Sequence, residues 1–215
     1  MADLPAGPAY RIVTKRMVIR CWHPADAMLL KEALDASLDH LRPWMPWAHE
    51  EPEDIEKKIN KLRTFRGRFD LGESFVYAVF NRDETQVLGG TGLHTRIGEG
   101  ALEIGYWIRA SHINKGLATE SSAALTKVAF EVHKVDRVEI HCDLQNLRSA
   151  AVPRKLGFSH EATLRKRAPH PGENLRDVMI WTLFASDYPS SPSASAEIEA
   201  FDVIGRKILP VSSKQ

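Results

Sequence analysis

Between Phe75 and Val132 the spacing of apolar residues changes once, from every second position to about every 3.6. No other feature limits the folds open to the chain as much. Three strand-like runs come first: Phe75 to Phe80, Gln86 to Leu93 and Ala101 to Ile108. Asn81-Arg82-Asp83 and Gly98-Glu99-Gly100 separate them, and such residues favour the tight turns of antiparallel hairpins. From Lys115 onward Leu117, Ser121, Ala124, Leu125, Val128 and Val132 lie on one helical stripe. A hairpin meander that runs into a long helix predicts a sheet covered by helices.

The flanks extend this pattern. Residues 11–20 are rich in β-branched side chains and predict a strand; Pro24-Ala25-Asp26 starts a helix carrying Ala27, Leu30, Ala33 and Leu34 at helical spacing. Leu41 to Trp47 holds two prolines and two tryptophans, which makes it a loop with large apolar side chains. Glu51 to Arg66 carries Ile55, Ile59, Leu62 and Phe65 on one face of a surface helix. A strand at Arg137 to Cys142, a helix from Asn146 to Leu156, an extended segment from Gly157-Phe158 and a last strand at Val178 to Leu183 follow. The class is α/β (α+β), with no internal repeat. Residues 1–9 read as a tail and 10–188 as one domain. Pro189 to Ser195 has too little apolar surface to order itself, so 189–215 reads as a linker and tail. Phe201, Val203, Ile204, Ile208, Leu209 and Val211 are too apolar to be solvated and are expected to fold back on the same domain in preference to exchange with a partner subunit; a homodimer stays open.

Hydrophobic residues make up 43% and charged residues 27%, with a net charge of +1, so the chain has no electrostatic footprint for nucleic acid or an anionic membrane. Neither is expected as a partner. Met1 to Pro5 lacks a secretory pattern and no apolar run approaches a membrane span, which points to a soluble cytoplasmic protein. Cys21 and Cys142 are far apart, and the nine histidines show no HExxH spacing, so neither disulfide nor metal is expected.

Chemistry concentrates after the third strand. Ala110 to Ile113 turns, and Asn114-Lys115-Gly116-Leu117-Ala118-Thr119 begins the long helix. A helix start offers free amides and a positive dipole end to phosphate, and Gly116 and Ala118 keep that surface low. Alternation puts Leu102, Ile104, Tyr106 and Ile108 on one face of the strand, and Glu103, Gly105 and Trp107 on the other. Asn146 is placed to cap its helix, and Pro153 withholds the amide that would bond to the Ser149 carbonyl.

Arg16 to Arg20 with Asp26, Trp44-Met45-Pro46-Trp47, Glu103 to Ile108, Asn114 to Glu120, and Asn146 to Phe158 occur together in an order that resembles the GNAT acetyltransferases of the RimJ/RimL type. The resemblance spans about residues 10 to 185. It implies a GNAT fold, a mixed, mostly antiparallel sheet of about seven strands flanked by helices. It also implies acetyl transfer from acetyl-CoA to a primary amine by direct attack, with acetyl-CoA as donor substrate and no metal. Asn114, Lys115, Gly116, Leu117, Ala118 and Thr119 would bind the pyrophosphate. Trp107, Ile108, Arg109 and Asn146 would hold the pantetheine arm, with Ser149 near the sulfur. Glu103 would serve as base and Ser149 would protonate the leaving thiolate. The family's phosphate motif opens with Arg or Gln where this chain has Ile113, which shifts the basic contribution to Lys115. Trp44, Trp47 and His94 are candidates for the acceptor pocket, His94 also as an auxiliary base. Acceptors in such families range from ribosomal-protein and peptide N-termini to small amines, antibiotics and aminoacyl compounds. A donor with a longer acyl chain and a non-catalytic CoA sensor are the alternatives.

Overall fold

The computed structural model describes residues 7–168 and 175–209. Among them ten strands form one sheet: β1 (Arg11–Val13), β2 (Met17–Cys21), β3 (Phe75–Asn81), β4 (Val87–His94), β5 (Ala101–Ile108), β6 (Arg137–Asp143), β7 (Ser159–Ala168), β8 (Arg176–Phe184), β9 (Glu199–Phe201) and β10 (Lys207–Leu209). Their order is β10-β9-β1-β2-β3-β4-β5-β6-β8-β7. The helices are α1 (Ala27–Asp35), α2 (Leu38–Leu41), α3 (Ile55–Asp70), α4 (Leu117–Glu131) and α5 (Leu147–Lys155). β5 and β6 pair in parallel, whereas β3/β4, β4/β5 and β6/β8 are antiparallel.

Strand alternation splits the core into two. Phe75, Tyr77 and Val79 of β3 join Leu102, Ile104 and Ile108 of β5 under α4 and α5, where Ala124, Leu125, Val128 and Ala150 complete the layer. Ala78 and Phe80 of β3 face the opposite way, with Leu30 and Leu34 of α1 and Leu62 of α3, and Trp107 packs against that second layer. Each face of the sheet thus buries its own apolar set.

The glycines of β4 explain why aromatic rings lie flat on the second face. A Cβ on Gly90 would sit 2.5 Å from the Trp107 indole nitrogen, and one on Gly92 would meet the His94 ring at 3.0 Å. At Gly89 the obstacle is rigid: a Cβ would lie 2.2 Å from the Trp107 carbonyl oxygen. Gly89→Ala is therefore expected to destabilise the fold by about 1–3 kcal/mol, the usual cost of overpacking. It should appear as a lower urea midpoint at unchanged slope.

Three expectations need correction. The sheet has ten strands among the described residues, not about seven. Two of the added strands, β9 and β10, are formed by the apolar tail expected to fold back, and the Ser/Pro stretch read as a linker packs on the domain as well. Tyr188 stacks on Phe130 with centroids 4.6 Å apart, and its hydroxyl donates to Glu131 at 2.6 Å. The buried Lys127 of α4 donates to the carbonyls of Ala194 and Ala196 at 3.1 and 3.2 Å. Ile198 and Ala200 are buried, and β9 pairs with β1. Lys127 supplies partners for carbonyls that serine and proline side chains leave unsatisfied, so a short polar stretch becomes ordered. Val211 lies outside the described residues. The phosphate-loop helix also begins later than expected, at Leu117, after Asn114 and Gly116 have turned the backbone through φ values of 60° and 76°.

Candidate active site

β5 and β6 stay paired for three residues. The register runs Ala101 with Arg137, Leu102 with Val138 and Glu103 with Glu139, and there it ends. β5 continues along β4 as far as Ile108, and β6 continues along β8 to Asp143. The strands separate because each keeps a different neighbour. The gap opens into a cavity of about 840 Å³ lined by residues from both sides of the sheet. Glu103, Trp107 and His141 line it on the α1/α3 side; Tyr106, Cys142 and Ser149 line it on the α4/α5 side. Trp44, Trp47, His94 and Asn146 also border it.

On the α5 side the helix start fixes Ser149. The Ser149 amide donates to the Asn146 side chain at 3.0 Å, which caps the helix. Pro153 leaves the Ser149 carbonyl without its helical donor, and the Tyr106 hydroxyl fills that role at 3.0 Å. The same hydroxyl lies 3.0 Å from Ser149 Oγ. Burial raises the Tyr106 ionisation well above the usual phenol value, although its hydrogen bond with Ser149 opposes this. Tyr106 therefore stays a neutral O–H. Burial also pushes the neighbouring Cys142 thiol up to about 11, which makes it a poor nucleophile.

On the α1/α3 side, Glu103 is 5% exposed and receives both arms of Arg96, at 2.7 and 2.5 Å. Burial raises its carboxyl, but the Arg96 hydrogen bonds, with His141, Arg96 and His94 as nearby charges, outweigh this and hold it below the usual range. His94 pairs with Glu103 across β4 and β5. Burial, joined by Arg96, pushes its imidazole down, towards the neutral form, against the pull of Glu103. Trp47 packs edge-on to Trp107 with centroids 6.3 Å apart. Arg176 holds Trp44 beneath it at 5.7 Å, donates to the Pro43 carbonyl at 3.2 Å and pairs with Asp143 at 2.9 Å. The tryptophan loop is in this way tied to β8 across the cavity.

The helix start at Leu117 is separate from this cavity. The first hydrogen bond of the helix runs from the Glu120 amide to the Gly116 carbonyl at 3.0 Å, so the amides of Leu117, Ala118 and Thr119 precede it. Arg16, from the turn between β1 and β2, reaches this loop. Its Nε bonds to Glu120 at 2.5 Å, its Nη1 bonds to the Lys115 carbonyl at 2.7 Å, and its Nη2 approaches Gly116. A guanidinium thus stands beside the loop that lacks one at Ile113. Sequence order hides this partner, because it lies about a hundred residues upstream.

Arg109 is used by the fold. Its amide donates to the Leu88 carbonyl at 2.8 Å, its carbonyl accepts from His112 at 2.8 Å, and its side chain pairs with Glu32. Ile108 is buried in the core with its partner Gly89 on β4.

The acetyltransferase (GNAT) domain family matches residues 16–159. The chain belongs to this family. Over 186 residues it is 25% identical to the ribosomal protein uS5 alanine N-acetyltransferase of Escherichia coli (strain K12), with 84% of this chain and 94% of the relative covered. The N-acetyltransferase YnaD of Bacillus subtilis (strain 168) is 28% identical over 162 residues, covering 75% of this chain and 90% of the relative. Among solved structures, RimL, a ribosomal L7/L12 alpha-N-protein acetyltransferase in complex with coenzyme A, superposes with a TM-score of 0.73 at 20% identity, over 80% of this chain and 96% of that one. The GNAT fold expected from the sequence is the one observed. Membership makes the chain an acetyl-CoA-dependent N-acetyltransferase. Among the described residues no helix is long and apolar enough to cross a membrane, and no cluster suits a metal ion.

Proposed function

We propose that this GNAT enzyme acetylates the free N-terminal amine of a peptide or ribosomal protein in the cytoplasm, with acetyl-CoA and acceptor entering from opposite faces of the sheet. The observation that carries the reading is the separation of β5 from β6 beyond Glu103 and Glu139, which joins the two faces in one cavity. The donor side takes the pyrophosphate on the amides of Leu117 to Thr119, beside Asn114, Lys115, Gly116 and Arg16. The pantetheine arm follows the Trp107 backbone and Asn146 to Ser149. The acceptor side is walled by Trp44 and Trp47, with Glu103 and His94 at its floor. Glu103, kept ionised by Arg96, draws in the ammonium group, and the hydroxyls of Ser149 and Tyr106 give the departing thiolate its proton.

The ribosomal choice of acceptor rests on the uS5 relative. Its test is release of CoA from acetyl-CoA across peptides with N-terminal alanine or serine, polyamines, aminoglycosides and aminoacyl nucleotides. Turnover confined to the peptides supports the reading; turnover confined to a small amine overturns the acceptor, and none with any amine overturns acetyl transfer. A separate expectation concerns Arg16. Arg16→Ala removes a charge-assisted contact to the pyrophosphate, worth about 1.5 kcal/mol, and is expected to raise KM for acetyl-CoA roughly tenfold with kcat little changed. An unchanged KM would remove Arg16 from the donor site.

A further inference from the structure

Three carboxylates lie on the acceptor face around the gap, and each has its own arginine. Glu103 takes Arg96, Glu139 takes Arg137 at 2.8 Å, and Asp143 takes Arg176 at 2.9 Å. Glu103, held below the usual carboxylate range by burial-opposing hydrogen bonds from Arg96, is a weak proton acceptor, and the other two carboxylates are each engaged by a guanidinium. His141 sits between Glu139 and Asp143 on β6, on the face that carries Glu103. It borders the cavity and its side chain is 26% exposed. Its Nε2 lies 2.7 Å from Glu139, so the hydrogen on that nitrogen goes to the carboxylate and Nδ1 keeps its lone pair. Nδ1 points at Glu103, 3.9 Å away. A carboxylate behind one ring nitrogen and an open lone pair at the other is the arrangement that makes an imidazole a base.

We propose that His141 is the group that removes the proton from the attacking amine, with Glu139 as its positioning residue. This rests on the acetyl-transfer reading above. The bound ammonium group first gives one proton to His141 Nδ1, which passes it to solvent; the nitrogen, its lone pair freed, then forms a bond to the thioester carbonyl carbon, and its second proton leaves by the same imidazole nitrogen. The tetrahedral intermediate then collapses, the C–S bond breaks, and the thiolate takes a proton from the Ser149 hydroxyl, which is restored from solvent as His141 gives its own proton up. The sum is amine plus acetyl-CoA to amide plus CoA. The imidazolium formed on the way stands between two anions, Glu139 and Glu103. His94 is the rival imidazole, but its ring is packed over Gly92 and Gly105, and burial beside Arg96 disfavours the cation it would have to become.

The test uses the full chain, acetyl-CoA, and the amine of the above panel that the wild-type enzyme acetylates fastest. His141→Gln is expected to lower kcat by about 10²–10³-fold at pH 7, the usual contribution of a general base, and by much less at pH 10, where the amine is already neutral. Acetyl-CoA affinity by calorimetry should stay within about twofold, since no donor contact is lost. Imidazole added to His141→Ala should restore part of the rate, and Glu139→Gln should displace the acid limb of the pH profile. His141→Asn serves if the glutamine variant fails to fold. A loss that is equal at every pH, or a kcat within about threefold of wild type, overturns the assignment while leaving acetyl transfer intact. Absence of wild-type turnover with any amine overturns both.

Discussion

Lys58→Met is expected to destabilise the protein by about 3–5 kcal/mol, a large share of the roughly 5–15 kcal/mol that holds a domain together. Lys58 is a fully buried ammonium on α3 that meets Glu51 and, at 2.8 Å, Glu53. Methionine fills a similar volume, so the loss comes from two carboxylates left with less charge to face, one of them closed to water. Lys61 still reaches Glu53 at 2.6 Å but stands 3.9 Å from Glu51. At about 2–4 °C per kcal/mol for a chain of this size, the thermal midpoint should fall by roughly 10 °C. A fall of a degree or less would mean that the charges escape to solvent.

The same cluster sets an acid limit. Burial raises the Glu53 carboxyl, but hydrogen bonds and charge from Lys58 and Lys61 overcome this and bring it down to about 2. An unfolded glutamate titrates near 4.3, so the stabilisation from this group is fully present above about pH 4.3 and is lost as the pH falls towards 2. The cluster also reaches the active site. The Glu51 carbonyl accepts from Arg42 at 3.1 Å, and Arg42 lies next to the loop of Trp44 and Trp47. Loss of Lys58 should therefore weaken acceptor binding before the domain unfolds.

Legibility in the sequence followed the range of the interactions. The β3 to β5 meander and α4 were readable because apolar periodicity is a local consequence of which face is buried. Asn146 as cap and Pro153 as the residue that frees the Ser149 carbonyl were readable for the same reason, since both act within one helical turn. The hydroxyl that takes up that carbonyl was not, because Tyr106 is 43 residues away. Arg16 at the phosphate loop, Arg96 on Glu103 and the Glu139 to His141 contact depend on strand order and on a gap that exists only in the assembled sheet. Alternation along Glu139, His141 and Asp143 was a usable signal that three polar side chains shared the Glu103 face. The Ser/Pro stretch misled because its order comes from Lys127, not from its own composition.

Glu103→Gln is expected to lower kcat/KM by about 10²-fold, and the form of the loss separates its role from that of His141. Glu103 is held below the usual carboxylate range and is ionised throughout the range in which amines are acetylated, so no limb of the rate profile near neutrality belongs to it. Removing its charge takes away an anion that faces both the incoming ammonium and His141 Nδ1, 3.9 Å off. The proton still has the same acceptor, so the acid limb should persist in Glu103→Gln. In His141→Gln the limb should disappear. Arg96 loses its partner in the glutamine variant, but its side chain is 64% exposed, so solvent takes over and the thermal midpoint should change little. Because the two residues meet at one proton, the double variant should fall far short of the product of the single losses. Full multiplicative loss would show that carboxylate and imidazole act independently. A limb that vanishes in Glu103→Gln and survives in His141→Gln would return the role of base to the carboxylate.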